Sequence, residues 1–461
     1  MNKDLTKGVP GKVLIDFTIP LFISVIFQQM YNIADSVIAG KFAGENALAA
    51  VGASYPVTMI FMAIAIGCQI GCSVVISKHF GSKNMSKTKT CIFTALIAGF
   101  VLSVILTLIG IVFSQQLMRL VNTPDNILSD GNLYLKIYNA GFVFLLVYNV
   151  VTGIFNSLGD SKTPLLLLIG SSLGNIGLDA LFVIKFGMGV KGVAWATFIA
   201  QGIACIVAFI LLIKRVKNLG DEKDDVQLFS ISALIEILTI AIPSIIQQSF
   251  VSIGNLFIQR MVNEFGSSVI AGYSAAIKLN TFAITCFSTL DNGISSFTAQ
   301  NKGAGKNDRI NKAFRSGIIF SLSVATVFFL LYFIFGKNLL MLFMNDESSE
   351  LSMKTGIVFL KIVSPFYFTV CTKLICDGVL RGSGSVFYFM ITTFTDLLLR
   401  VILAFIFSHF AAETGIWLAW PFSWVIATLM SVIFYKKNVW VSNINQQPIK
   451  LMNNIMSYKG K

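Results

Sequence analysis

Charged side chains are scarce in this sequence of 461 residues. Asp, Glu, Lys and Arg together make up 12% of it, apolar residues make up 55%, and the mean hydropathy is +0.77. Soluble domains carry about 25% charged residues, so this composition excludes an ordinary soluble protein and predicts a polytopic membrane protein. The net charge of +13 is spread over short loops between apolar stretches, which is typical of membrane insertion and argues against a nucleic-acid partner.

Histidine and closely paired cysteine are also lacking. There are two histidines, and none of the seven cysteines (68, 72, 91, 205, 286, 371 and 376) forms a CxxC pair. We therefore expect no metal centre built on Cys or His, no disulfide framework and no cofactor. No residues resemble a nucleophile with a base, so an enzyme is not expected either. The first apolar stretch has no small-residue cleavage site before it and is predicted to be retained.

The apolar stretches predict an all-α integral membrane protein with about twelve spans. A span needs roughly 20 residues. The predicted limits are 14–38, 47–77, 91–113, 134–157, 164–186, 192–213, 233–259, 269–299, 313–335, 355–380, 386–408 and 414–435. A charged run divides them into two groups of six. We expect an N-terminal lobe at 1–213, a linker at 214–231, a C-terminal lobe at 232–438 and a tail at 439–461.

An internal repeat supports this division. FTIPLFISVIFQQMYN and IAIPSIIQQSFVSIGN align Pro20 with Pro243 and Asn32 with Asn255, and the offset along the chain is the same for both pairs. Because each half has an even number of spans, the two lobes share one orientation and form a parallel repeat. Lys and Arg are concentrated in the loops on the side of the termini, so both termini are predicted to be cytoplasmic.

The first span carries a polar face. Pro20, Ser24, Gln28, Asn32 and Asp35 follow one another at spacings of four, four, four and three, as on one side of a helix. A carboxylate inside a span is costly unless it faces a cavity, a partner or an ion, so Asp35 is a candidate functional residue. The repeat places Ile258 at its position in the second lobe.

Further polar residues lie in spans four to six. Asn175 and Asp179 are one turn apart, as are Thr197 and Gln201, and Asn149 lies in span four. The repeat places Arg400 opposite Asn175, and Trp420 and Trp424 opposite Thr197 and Gln201. Carboxylate, amide and hydroxyl oxygens are hard ligands that suit Na⁺ or a proton. For Asn149 and Thr197, simple hydrogen bonding between helices explains the residue equally well.

Several other polar and aromatic positions have two explanations. Asp291 could contact a cation or bond to a neighbouring helix. Lys373 with Asp377, and Asp396 with Arg400, are spaced as local ion pairs. Aromatic residues could line a pocket for flat cations or pack against helices; they are Tyr31, Tyr138, Phe142, Tyr148, Phe282 and Phe287. The GxxxG spacings at Gly67 and Gly71, and at Gly170 and Gly174, predict close helix contacts.

A combination of short motifs resembles the multidrug and toxic compound extrusion (MATE) transporters. The motifs are QQMYNIADSVIAGKFAG, ALAAVG, NSLGDSKTP, NIGLDALF, GMGVKGVAWAT, QNKGAG and GVLRGSG. The resemblance covers almost the whole chain. It implies two six-helix lobes in a V, and export of bulky, often cationic, organic compounds driven by inward flow of H⁺ or Na⁺.

The same resemblance implies an ion site in the N-terminal lobe. It consists of Asp35, Asn149, Asn175, Asp179 and Thr197, with Na⁺ bound by Asp35, Asn175, Asp179 and Thr197 if the ion is a metal. Family coupling acids on spans seven and ten have no full counterpart, because span seven lacks an interior carboxylate and Ser385 stands where relatives often have Asp. Candidate residues of the substrate cleft are Gln28, Tyr31, Asn32, Tyr148, Gln201, Phe282 and Asp291.

The interpretation is therefore a monomeric, multi-pass antiporter of the cell membrane, expected in a bacterial inner membrane, with a small, cationic, amphiphilic organic substrate. Two other functions stay open. A flippase for lipid-linked saccharides would need a more cationic cleft, and a passive channel would need no ion site in one lobe.

Overall fold

The computed structural model of the protein describes residues 4–38, 42, 45–121, 123–220, 226–344 and 350–441, and the side chains of 33–38, 45–49 and 126 lie outside that description. The described residues form α-helices and no strand. The helices are α1 (Pro10–Ile38), α2 (Glu45–Gly81), α3 (Met85–Val112), α4 (Ser114–Leu120), α5 (Asp125–Ser157), α6 (Lys162–Asp179), α7 (Val190–Lys217), α8 (Ile231–Asn263), α9 (Ser267–Gly303), α10 (Asn307–Leu340), α11 (Glu350–Val363), α12 (Tyr367–Gly382) and α13 (Val386–Lys436).

Eleven helical segments of the described residues are long and apolar enough to cross a membrane. Ten correspond one to one with predicted spans. The tenth, Glu350–Gly382, consists of α11 and α12 joined by a single 3₁₀ turn at Ser364–Phe366, where Pro365 interrupts the helix. The eleventh, α13, contains the last two predicted spans. The all-α membrane fold predicted from the sequence is thus confirmed.

The helix α13 contains a sharp break. Its 51 residues would extend about 76 Å as a straight helix, more than twice the apolar thickness of a bilayer. Ala412 has φ +48° and ψ −136°, outside the helical region, and a Cβ on Gly415 would overlap the carbonyl oxygen of Phe407. Gly189, which the repeat aligns with Ala412, has φ +56° and ψ −133°. The two halves of the chain therefore use the same tight turn between their last two spans.

The chain forms two compact units. Unit 1 comprises Met1–Leu5 and Asp16–Ile253, and unit 2 comprises Thr6–Ile15 and Gly254–Lys461. The expected division at 214–231 follows the repeat, whereas the units divide within α1 and within α8. Each unit therefore contains the beginning of a long helix whose remainder belongs to the other unit.

In unit 1, α8 packs closely on α2 through two glycines. A Cβ on Gly67 would overlap Ile245, and a Cβ on Gly71 would lie 2.6 Å from the Cβ of Ala241. The close contact predicted from this GxxxG spacing is confirmed. The equivalent prediction for Gly170 and Gly174 is wrong for the described part of the chain, where a Cβ at either position meets no atom within 4 Å. The GxxxG spacing shows that small residues share one face of a helix, but it does not show whether another helix packs against that face.

In unit 2, three basic residues of the turn between α9 and α10 bind backbone carbonyls of two distant segments. We call Lys302, Lys306 and Arg309 the basic clamp. The Nζ of Lys302 donates to the carbonyls of 440 and 441, at 2.9 and 2.7 Å. The Nζ of Lys306 donates to the carbonyl of residue 6 at 2.9 Å, and Arg309 donates to those of 7 and 8 at 3.1 and 2.6 Å. The clamp thus fixes the segments 6–8 and 440–441 on one turn.

Candidate functional site

Asp179, the last residue of α6, is fully buried and lies in contact with Asn175. The Asn175 amide takes the orientation in which both of its polar atoms are hydrogen-bonded. The amide nitrogen donates to Asp179 Oδ2 at 2.8 Å, and the amide oxygen accepts from the backbone N–H of Thr197 at 3.2 Å. The spacing of four residues places Asn175 and Asp179 on one face of α6. A six-residue π-helical segment, Ala180–Lys185, follows Asp179 directly, and such segments are frequent at functional sites.

Asn175 links α6 to α7. Its oxygen binds the backbone of Thr197, whose own hydroxyl donates to the carbonyl of Val193 one turn earlier, at 3.0 Å. The hydroxyl oxygen of Thr197 keeps a lone pair for a further ligand. The structure therefore brings Asn175 and Asp179 of one predicted span together with Thr197 of the next.

A crevice between α5 and α7 lies beside this group. It is too narrow in this structure to hold a water molecule, and it is lined by Tyr134, Ile137, Tyr138, Gly141, Ala194, Thr197, Phe198 and Gln201. The rings of Tyr134 and Tyr138 lie nearly parallel with centroids 6.3 Å apart. Sequence reasoning missed Tyr134, although its spacing of one turn from Tyr138 on an apolar helix is a usable signal. Thr197 and Gln201 were both predicted as site residues, and both line this crevice.

The remaining predicted residues of unit 1 are more scattered. Asp35 lies on α1, but its side chain is among those outside the described residues, so its place in the ion site stays a prediction. Gln28 and Asn32 are exposed, and Tyr31 is partly buried. The Nδ2 of Asn32 donates to Gln29 Oε1 on its own helix, at 3.0 Å. The roles of these three residues in a substrate cleft stay predictions as well.

Two predicted residues of α5 are partly buried. The Nδ2 of Asn149 donates to the carbonyl of Leu145 on its own helix, at 2.8 Å, and leaves the side-chain oxygen available for another ligand. Tyr148, the neighbouring candidate for the substrate cleft, is also partly buried. Their roles in ion and substrate binding stay predictions.

Unit 2 contains buried charges on α12 and α13. Lys373 Nζ lies 2.7 Å from Asp377 Oδ2, and both side chains are almost inaccessible. Asp377 Oδ1 accepts from the hydroxyls of Thr392 and Ser431, at 3.0 and 2.7 Å. The predicted local ion pair of Lys373 and Asp377 is confirmed, and hydrogen bonds from α13 extend it between helices.

Asp291, a candidate for the substrate cleft, lies in an ion pair. Its Oδ2 is 3.0 Å from Arg381 Nη2, and the two side chains are 6% and 3% exposed. Arg381 also donates to Asn292 Oδ1 at 2.9 Å. Of the two explanations open for Asp291, the structure shows the bond to a neighbouring helix, α12. Phe282, another cleft candidate on α9, is partly buried and packs edge to face on Phe328 at 5.6 Å.

Arg400 is held between a carboxylate and two indole rings. Its Nη2 lies 3.0 Å from Asp396 Oδ1, which confirms the predicted local pair. The guanidinium carbon lies 4.1 Å from the ring centre of Trp420 and 6.0 Å from that of Trp424. By the repeat these residues correspond to Asn175, Thr197 and Gln201. The contact between positions 175 and 197 in unit 1 therefore has a counterpart between positions 400 and 420 in unit 2.

A protein-family model described as MatE matches the chain twice, over residues 20–181 and 243–406. The first match starts at Pro20 and the second at Pro243, the two prolines that the internal repeat aligns. Together the matches cover well over half of the chain.

Curated relatives match nearly the whole length. The chain is 27% identical over 429 residues to the probable multidrug resistance protein YoeA of Bacillus subtilis (strain 168), which covers 91% of this chain and 92% of that protein. It is 26% identical over 342 residues to a FAD transporter of Shewanella oneidensis, covering 73% of this chain and 75% of that one.

Solved structures share the fold. A MOP superfamily transporter from Pyrococcus furiosus superposes with a TM-score of 0.88 at 23% identity, over 94% of this chain and 96% of that chain. An outward-facing multidrug resistance MATE family transporter of the MOP superfamily gives 0.88 at 23% identity, over 95% and 97%.

Proposed function

This chain belongs to the MatE family of multi-pass membrane transporters, and we propose that it exports small organic compounds in exchange for inward flow of H⁺ or Na⁺. It is a transporter and not an enzyme. The exchange would proceed by alternating access, in which a cargo site opens to one side of the membrane and then to the other. The names of two relatives, a multidrug resistance protein and a FAD transporter, support an organic cargo.

The observation that carries the proposal is the buried group of Asp179, Asn175 and Thr197. A carboxylate in a low-dielectric site binds a proton or a cation more readily than one in water, because either neutralises a charge that the site solvates poorly. The amide and hydroxyl oxygens add hard ligands suited to Na⁺. An ion bound here biases the transport cycle only if it binds the inward-open and outward-open states unequally.

Asp35 would complete the ion site. It is a carboxylate on the predicted polar face of α1, and two neighbouring carboxylates share a proton more readily than one holds it. Protonation or Na⁺ binding at Asp35 and Asp179 would then alter how α1, α6 and α7 pack. Asn149 would contribute its side-chain oxygen from α5.

The crevice between α5 and α7 would accept part of the cargo once α5 and α7 move apart during the transport cycle. Tyr134, Tyr138 and Phe198 supply aromatic faces, which attract flat organic cations, and Gln201 supplies a polar anchor. The exposed candidates Gln28 and Asn32, with Tyr31 and Tyr148, would line the approach. We further propose a monomer in the bacterial cell membrane with both termini in the cytoplasm, as the bias of Lys and Arg among the loops indicates.

The test is efflux of a fluorescent organic cation from proteoliposomes, with a pH gradient and a Na⁺ gradient imposed separately. Asp35→Asn and Asp179→Asn should each abolish gradient-driven efflux while membrane expression stays intact. Asp125→Asn, at the exposed start of α5, is the matched control and should transport normally. Normal efflux by both site variants would refute ion coupling. Efflux that ignores both gradients and shows no counterflow would indicate a passive channel.

A further inference from the structure

Three N–H donors in the described part of unit 2 are buried without an acceptor. They are Nε of Arg400 and the indole nitrogens of Trp417 and Trp420, whose residues are 7%, 0% and 4% exposed. Among the described residues, none offers them an oxygen within hydrogen-bonding distance. Buried donors are almost always satisfied, and a buried donor left without an acceptor costs free energy. Three such donors in one place indicate a group that accepts from them.

The three donors lie within one aromatic cluster. The guanidinium of Arg400 lies over the ring of Trp420. Phe359 packs edge to face against both Trp417 and Trp420, with centroids 5.3 and 6.1 Å apart, and Tyr273 stacks on Trp417 at 4.9 Å. These contacts bring the three side chains together in one aromatic cluster of unit 2.

The position of the cluster in the repeat points to binding. Arg400 corresponds to Asn175, which donates to Asp179 in unit 1, and Trp420 corresponds to Thr197, whose backbone N–H donates to Asn175. Ala404 stands at the position of Asp179. The oxygen ligands of one half are thus replaced in the other half by nitrogen donors, which reverses the chemistry from accepting a cation to donating hydrogen bonds.

The charges select the kind of acceptor. Asp396, 3.0 Å from Arg400 Nη2, already compensates the guanidinium. A bare inorganic anion would therefore add an uncompensated charge to a buried site, which is costly. A carbonyl oxygen adds no net charge, and the carboxylate of a zwitterion brings its own cation. Aromatic walls favour an acceptor attached to a ring.

We propose that Arg400, Trp417 and Trp420 form a second ligand site, which binds a carbonyl or carboxylate oxygen of an aromatic organic compound. The site rests on the proposed export function, because the compound would be a cargo. Because its donors are nine-tenths buried in this conformation, the ligand reaches them when the helices of unit 2 rearrange during the transport cycle.

The test is equilibrium binding of radiolabelled benzamide and of radiolabelled 4-(aminomethyl)benzoate, an aromatic zwitterion, to the purified protein in detergent, without any ion gradient. Benzamide presents a neutral carbonyl and the zwitterion a carboxylate with its own cation, so the two arms distinguish the acceptor. We expect saturable binding of one or both. Trp417→Phe and Trp420→Phe should each weaken it roughly five- to tenfold, the effect of one lost hydrogen bond in a buried site. Trp440→Phe is the matched control, because its buried indole already donates to the carbonyl of Tyr435 and should not affect the probes.

Thermal unfolding without probe separates binding from packing. Because no described residue accepts from these donors, Trp417→Phe and Trp420→Phe lose packing only and should lower the midpoint less than Trp440→Phe, which also loses a hydrogen bond. Absence of saturable binding, equal binding by the Trp420→Phe variant, or binding of sodium bromide but neither probe would each overturn the site. Probe binding without gradient-driven efflux would leave the site standing and overturn only the export mechanism.

Discussion

The guanidinium carbon of Arg400 lies 4.1 Å from the ring centre of Trp420. Both residues belong to α13, on opposite sides of its break at Ala411 and Ala412, so the contact joins the two spans that the helix contains. In the first half of the chain, Asn175 on α6 and Thr197 on α7 are in contact across the equivalent turn. The same backbone arrangement thus carries amide and hydroxyl side chains in the first half of the chain and a guanidinium and an indole in the second.

Thr197→Val should reduce ion-coupled efflux roughly fivefold without lowering stability, if the hydroxyl is an ion ligand. The hydroxyl bonds to its own helix, so its removal costs little in folding, and Val keeps the shape of Thr. The measurement is gradient-driven efflux in proteoliposomes beside the thermal midpoint. Unchanged efflux would remove Thr197 from the ion site and leave it as a packing residue.

Glycine substitutions should have opposite effects on α2 and α6. Gly67→Ala and Gly71→Ala force the backbone of α8 away from α2. Each should lower the free energy of unfolding by about 1–3 kcal/mol. At Gly170 and Gly174 an added Cβ meets no described atom. Gly170→Ala and Gly174→Ala should therefore leave the free energy of unfolding unchanged or raise it by up to about 1 kcal/mol, because Ala is the better helix former. Thermal unfolding in detergent measures all four, and a loss at Gly170 as large as at Gly67 would contradict the packing.

Ala412→Gly should stabilise the protein by about 1 kcal/mol. Ala412 has a positive φ, which a side chain with a Cβ disfavours, whereas the repeat supplies glycine at position 189 with nearly the same φ and ψ. Gly189→Ala is the reciprocal change and should destabilise. A lower unfolding midpoint for Ala412→Gly would show that its methyl group packs more favourably than its backbone is strained.

Lys373→Met should lower the free energy of unfolding by about 3–5 kcal/mol, because it leaves the buried carboxylate of Asp377 without its counter-charge. In Lys373→Met/Asp377→Asn the amide oxygen still accepts from Thr392 and Ser431, so the double variant should be more stable than Lys373→Met alone. Lys312→Met, at an exposed position of α10, controls for the loss of one positive charge. Additive losses in the double variant would argue against coupling between the two residues.

The sequence predicts the helices well because length and apolarity decide whether a segment crosses a bilayer. Ion pairs within one helix could also be predicted, since Lys373 and Asp377 lie one helical turn apart. The partner of Asp291 could not be predicted, because Arg381 lies on another helix and only packing determines which helices meet. The same reason explains the error at Gly170 and Gly174, where small residues line a helix face that no other described residue contacts at those positions.

The ion site was only partly predictable. The spacing of Asn175 and Asp179 follows from the helical period, but their approach to Thr197 depends on the turn at Gly189. The cluster around Arg400 was predicted as an ion pair alone. Its unpaired nitrogens come from the mutual orientation of three rings, which no period in the sequence encodes.

The basic clamp brings residues far apart in the chain into the reach of one short turn, from Lys302 to Arg309. Joining residue 441 to residue 6 by a short Gly/Ser linker would therefore span a modest distance. A rearranged gene that makes this junction and reopens the chain within 214–231 would translate the second repeat before the first. Such a circular permutant offers a way to ask whether the order of synthesis matters for assembly in the bilayer.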